Sequence, residues 1–160
     1  MITAREKGRH LELIVGGGDD MLSFLVPPIS AKTGAKLLSD FVGVAFAQVE
    51  GQEALDTAAS LAETALGTEV FEQIQDLRWA EQEQITNAAF MWNVQGGGID
   101  LVNEYLAGGL GKARETLLRA VGLWEAFSLL ETSLVSEWER LTSSAVSLDT
   151  STPAGGVTSP

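Results

Sequence analysis

Apolar and polar residues change their period along this chain, and each change marks an element. Leu11-Glu12-Leu13-Ile14-Val15 and Met21-Leu22-Ser23-Phe24-Leu25-Val26 are rich in β-formers and partly alternate. Gly16 to Asp20 lie between them and suit positive φ and local side-chain hydrogen bonds, so a β-hairpin is expected. Pro27-Pro28 stops the second strand, because proline has no N–H to give a ladder. A lone hairpin is marginal in water, so it must pack on helices or on a partner chain.

From Ser30 the spacing turns to threes and fours. Ser30 or Thr33 suits the cap of a helix through Val49, whose apolar face includes Leu37, Leu38, Phe41, Val42 and Phe46. Gly51 breaks the pattern. A second helix is expected from Ala54 to Leu66, with Leu55, Ala58, Ala59, Ala62 and Leu66 on one side. Thr68 is the expected cap of a third, with Glu69 and Glu72 near its positive end and Val70, Phe71, Ile74 and Leu77 as its stripe. Glu81 to Val94 reads as a fourth, ended by Gly96-Gly97-Gly98, and Ile99 to Leu106 as a short fifth.

After Gly108, Gly109 and Gly111 comes the longest run, Lys112 to Leu141. Its ladder of Ala120, Leu123, Phe127, Leu130, Leu134, Trp138 and Leu141 predicts a helix with one apolar seam. Glu137 occupies the intermediate heptad slot after Leu130, so the seam faces a core or a partner and does not make a coiled coil. Thr142 to Pro160 is Ser, Thr, Gly and Pro without period and reads as a disordered tail. The expected fold is mainly α: an N-terminal β-hairpin followed by a helical bundle. Residues 1–9 are expected as a flexible N-terminus, 10–141 as a single helical domain and 142–160 as the tail.

Composition narrows the classes of partner. The 160 residues suit one domain with a tail, and 22 acidic against 10 basic side chains leave a net charge of −12. Such a surface repels phosphate backbones and anionic headgroups, which argues against nucleic acid and membrane partners. There is no cysteine, hence no disulfide and no thiolate site. No segment reaches the ~18 apolar residues of a membrane span. Arg5, Lys7 and Arg9 mimic the start of a signal peptide, but Leu11 to Val15 is too short an apolar stretch for one. The expected location is the cytoplasm.

Candidate chemistry is sparse. Gly108-Gly109-Leu110-Gly111-Lys112-Ala113 resembles a phosphate loop, yet Leu106 stands where the first glycine belongs and Ala113 where the magnesium hydroxyl belongs. His10 is the only histidine, so neither a histidine-rich metal site nor a Ser-His-Asp relay is indicated. Asp19-Asp20 is not followed by the alternating oxygen ligands of a calcium loop. Glu63, Glu72, Glu81 and Glu83 read as solvated helix faces. The chain is therefore expected to be no enzyme and to need no cofactor or metal. Four tryptophans, Trp79, Trp92, Trp124 and Trp138, read mainly as core. Phe127, Leu130, Leu134 and Trp138 are the candidate partner-binding residues, since tryptophan is favoured at interface hot spots.

Three stretches carry a resemblance. Val26-Pro27-Pro28-Ile29-Ser30-Ala31-Lys32-Thr33-Gly34 follows the hairpin. Leu66-Gly67-Thr68-Glu69-Val70-Phe71-Glu72-Gln73-Ile74 precedes Asp76-Leu77-Arg78-Trp79, and Ala88-Ala89-Phe90-Met91-Trp92 comes with a glycine shortly after. Over roughly residues 10 to 107 this order resembles the tail assembly chaperones of long-tailed bacteriophages, particularly those infecting actinobacteria. The resemblance implies a protein that binds the aggregation-prone tape measure protein and keeps it soluble while tail tube subunits polymerise around it, in the host cytoplasm. It also implies frequent production in two lengths by ribosomal frameshifting. The apolar run from 112 to 141 departs from that pattern. The runner-up reading is a structural phage component, such as a helical head–tail adaptor. A homo-oligomer is expected, because a marginal hairpin and an over-apolar last helix both call for partners.

The aperiodic end gives a first test. Truncation after Leu141 should leave the melting temperature within about 2 °C, because surface changes are usually worth no more than ~0.5 kcal/mol. A larger drop in a thermal melt would show that residues 142–160 dock on the folded part.

Overall fold

Strand pairing begins at Ile2, earlier than the apolar pattern marks. The computed structural model describes residues 2–45, 51–130, 132 and 136. Three strands form an antiparallel meander in the order β1 (Ile2–Lys7), β2 (His10–Val15) and β3 (Leu22–Val26). The expected hairpin is β2–β3, with Arg5 opposite Glu12 across β1–β2 and Leu13 opposite Phe24 across β2–β3. The flexible N-terminus expected over 1–9 is thus corrected: Ile2 and Ala4 point to the core as an ordinary strand, and the charges of Arg5, Glu6 and Lys7 masked the alternation. Leu11, Leu13 and Val15 share the buried face with Phe24 and Val26.

The remainder of the fold is helical: α1 (Ala31–Ala45), α2 (Gly51–Leu66), α3 (Thr68–Gln73), a 3-10 turn Ile74–Asp76, α4 (Trp79–Asn93) and α5 (Ile99–Ala120). Ser30 is the cap of α1, its Oγ accepting the Thr33 N–H at 3.1 Å. The expected continuation to Val49 falls on 46–50, outside the described residues. Thr68 is the first helical residue of α3 and not its cap; Gly67, at φ 77°, takes that place. α4 starts at Trp79, two residues before the expected Glu81, because the Glu81 carboxylate turns back to accept the Arg78 N–H at 3.3 Å.

α4 is the axis of the fold. Its second half is apolar nearly all round, with Ile85, Ala88, Ala89, Phe90 and Met91 buried. A helix of that kind must be covered on several sides, and α2, α5 and β2 all pack against it. The Phe41 and Phe90 rings meet with centroids 5.2 Å apart.

The expected unbroken helix from Lys112 to Leu141 is corrected. α5 is interrupted at Gly109 (φ 81°, ψ 177°) and ends at Ala120. Gly122, at φ 75°, closes it: its N–H reaches the Arg119 carbonyl at 3.1 Å, and the Leu123 N–H reaches the Leu118 carbonyl at 2.8 Å. These paired bonds form a Schellman stop, which a residue with a left-handed conformation makes possible. Helical backbone resumes at 124–130. By its contacts the chain divides into two units, 1–124 and 125–160. Residues 142–160, expected as a disordered tail, lie outside the described residues.

One buried polar side chain joins the elements. Asn93, 9% exposed, is the last residue of α4. Its Nδ2 donates to the Ala65 carbonyl at 2.8 Å and to the Pro27 carbonyl at 3.1 Å, while its Oδ1 accepts the Ile29 N–H at 3.2 Å. The Ala65 carbonyl belongs to the final turn of α2, where no intrahelical donor remains. Asn93 therefore closes the end of α2, fixes the linker between β3 and α1, and anchors both to α4. Close by, the Gln95 N–H donates to the Gly34 carbonyl at 3.2 Å, and a Cβ at Gly34 would stand 2.8 Å from the Asn93 carbonyl oxygen. Only glycine lets α1 start that near the end of α4.

Asn93→Ala strips partners from one N–H and two carbonyls. At ~1–3 kcal/mol for each unsatisfied buried group, with partial relaxation, the loss should total about 3 kcal/mol in urea unfolding. Asn93→Asp should cost more, since a carboxylate would face two carbonyl oxygens. A loss under about 1 kcal/mol for Asn93→Ala would show that the three bonds do not hold the elements together.

Candidate functional site

α2 is covered unevenly. Ala65 and Leu66 at its end are buried, but towards its start Leu55 is 65% exposed and Ala58 and Ala59 face solvent. These residues and Ala62 form one wall of an apolar groove of about 400 Å³. Phe71 and Ile74 line its base, and Trp79 stands on the opposite wall with 77% of its surface exposed. Gln75, Gln82, Glu83, Thr86 and Asn87 complete the lining.

The local structure explains why Trp79 stands out. Arg78 is extended (φ −63°, ψ 146°), and α4 begins immediately after it. The side chain of Gln82 donates to the Gln75 and Leu77 carbonyls, each at 2.9 Å, and so ties the 3-10 turn to the first turn of α4. The groove walls are held by backbone-directed hydrogen bonds, while the apolar side chains at its mouth have no cover among the described residues. Large apolar side chains gathered in the open mark interaction sites more often than chance exposure does.

The seam residues expected to bind a partner are not brought together among the described residues. Phe127 is buried at 4% exposed and Leu130 is 37% exposed; Leu134 and Trp138 lie outside the described residues. Of the tryptophans, Trp92 packs against the core. The Arg119 guanidinium lies over the Trp124 ring, 4.9 Å from its centroid. Trp79 is an exception to the reading of the tryptophans as mainly core, and it is the site residue that sequence reasoning missed. The available signal was its place directly after Asp76-Leu77-Arg78, a break between two helices where a side chain has neighbours on one side only.

Among the described residues, the titratable groups with shifted pKa values are Tyr105 and Glu12. His10 is exposed at the start of β2. Tyr105 is buried, its hydroxyl accepts from Asn87 Nδ2 at 3.3 Å, and burial pushes its pKa up. Glu12 is 4% exposed on the sheet face away from the helices. Its carboxylate accepts from Lys7 Nζ at 2.9 Å, from Arg5 Nε and from Ser23 Oγ at 3.3 Å. The hydrogen bonds from Lys7 and then Arg5 outweigh desolvation and hold its pKa at about 2. A group so strongly ionised has no proton to donate near neutrality, and its role is to clamp β1 to β2. Among the described residues no group of three His, Cys, Asp or Glu side chains is placed to hold a metal ion, and no helix is long and apolar enough to cross a membrane.

Comparisons with protein-family models, curated proteins and solved structures find no match to the chain.

The Glu12 clamp gives a pH test. Its folded-state pKa lies below the ordinary value of 4.5, so its contribution to stability is complete above that pH and is lost as pH falls towards about 2. Glu12→Gln should therefore flatten the fall in stability across that window, measured by urea unfolding at successive pH values. An acid limb identical to that of the wild type would refute the clamp. Arg5 and Lys7 keep 66% and 58% of their side-chain surface exposed, so salt should weaken the effect.

Proposed function

We propose that this chain is a non-enzymatic assembly chaperone of the phage-tail type, which binds a tape measure protein and keeps it soluble until tail tube subunits enclose it. The observation that carries the reading is the apolar groove with Trp79 and Leu55 exposed at its mouth. A holding chaperone needs uncovered apolar surface for its client and enough charge to keep the complex dissolved. Here both lie on one stretch of chain.

The sequence resemblance supports the same reading in a particular way. Pro27, Ile29 and Gly34 come from its first stretch, and Trp79 closes its second. Its third stretch runs directly into Asn93, which bonds the first. The quoted residues thus serve packing and the placement of the groove, and none of them assembles a nucleophile and base.

Self-association belongs to the proposal on altered grounds. The sheet packs on α4 and α5 of its own chain and so needs no second copy. The remaining reason is β3, an edge strand without charge, beside which Met21, Leu22 and Leu25 are exposed. Host cytoplasm is the compartment this function implies.

Co-expression with the tape measure protein of the same phage should move that protein from the insoluble to the soluble fraction, severalfold over expression alone, and the two should copurify. Finished virions should lack the chain. A tape measure protein that stays equally insoluble refutes the chaperone reading, and stoichiometric presence in virions would favour a structural component.

A further inference from the structure

The groove's surroundings carry a charge pattern that narrows what it binds. Residues 51–93 supply both of its walls and its base. In that stretch stand eight acidic side chains and one basic one, Arg78. Asp56 and Glu63 are exposed along the flank of the α2 stripe, and Glu83 lines the groove itself. The lining is apolar along its centre and carries one carboxylate, Glu83, with Asp56 and Glu63 on the adjoining surface of α2.

We propose that this groove docks an amphipathic helix whose apolar stripe is flanked by lysine or arginine, with Trp79 as the anchoring contact. The inference rests on reading the groove as the client-binding face and specifies the chemistry of the client segment. Three observations favour a helix. The stripe from Leu55 to Ala62 covers eight residues, seven helical steps or about 10 Å of helix axis. That length matches anchors at positions i, i+3 or i+4, and i+7 of a second helix. Alanines at 58, 59 and 62 leave room for close approach, towards the lower end of the ~8–10 Å interaxial range. Leu55, Ala58, Ala59 and Trp79 are all exposed, so a small molecule would remain largely in water, whereas a helix would cover them together.

Charge selects among helical occupants. A second copy brings a net charge of −12 to an anionic rim. Residues 131–160 of the chain itself contain four acidic side chains and one basic, so they do not complement the rim either. A client segment with flanking cations does, and it gains faster encounter and rejection of acidic competitors.

The test uses the full chain and a synthetic helical peptide of about 18 residues, with leucines at the three anchor positions and lysines on both flanks. A sequence isomer carries glutamates in place of the lysines. Fluorescence anisotropy should give the lysine peptide at least ~10-fold tighter binding than the glutamate isomer, a preference that shrinks as salt is raised. Trp79→Ala should weaken the lysine peptide ~30-fold, the scale of an interface hot spot. Its surface is exposed, so an unchanged circular dichroism spectrum should accompany the loss. Ala59→Arg, which fills the groove and repels a cationic helix, should do the same. Equal binding of the two peptides overturns the proposal, as does lysine-peptide binding that survives both substitutions. If neither peptide binds while the chain still solubilises the tape measure protein, the groove inference fails and the chaperone reading stands.

Discussion

The structure depends on the three hydrogen bonds of Asn93. The residue ends the most buried helix of the fold, and its amide reaches the last turn of α2 and both sides of the β3–α1 linker. Apolar packing alone would leave these contacts interchangeable, because Leu, Ala and Met surfaces slide over one another at little cost. A buried amide with fixed donors and acceptors does not slide, since any shift leaves polar groups unpaired in a medium of low polarity. Glycine at position 34 is the companion constraint, because it allows the start of α1 to approach the same point.

That arrangement bears on the groove. α2 is pinned at Ala65, near its end, and its first half runs on with Leu55, Ala58 and Ala59 exposed among the described residues. The opposite wall belongs to α4, whose other end carries Asn93. The same side chain therefore sets the angle between the two walls from a site some four helical turns away from Trp79. The groove itself needs no polar interior, because its shape is imposed from the buried end. This leaves the exposed end free to carry apolar residues, with acidic residues around them to keep the chain dissolved.

Much of the architecture was legible from period alone. The β2–β3 hairpin follows from alternation on either side of Gly16 to Asp20, and α1 and α2 follow from their apolar stripes on either side of the break before Gly51. β1 was hidden because a three-residue charged run, Arg5-Glu6-Lys7, resembles a solvated lead, although Arg5 and Lys7 sit two apart to clamp Glu12 across the strand pair. The helix stop at Gly122 was passed over because Ala120, Leu123 and Phe127 continue the apolar spacing through it. Spacing records which side chains are apolar, and the left-handed turn at Gly122 is a backbone matter. The groove was half legible: the stripe of α2 was visible, but no pattern in a single helix tells whether its neighbour covers the stripe. Asn93 was illegible as a node, since its three partners lie 28, 64 and 66 residues away.

In the proposed function, the segments joined at Asn93 present one apolar face, between α2 and the start of α4, to a client. Amide hydrogen exchange of the chain with and without bound tape measure protein tests it most directly, because exchange reports protection segment by segment. Docking in the groove should add protection over 51–62 and 74–83 and leave the three strands unchanged. Added protection confined to the sheet, or to residues beyond 124, would contradict it.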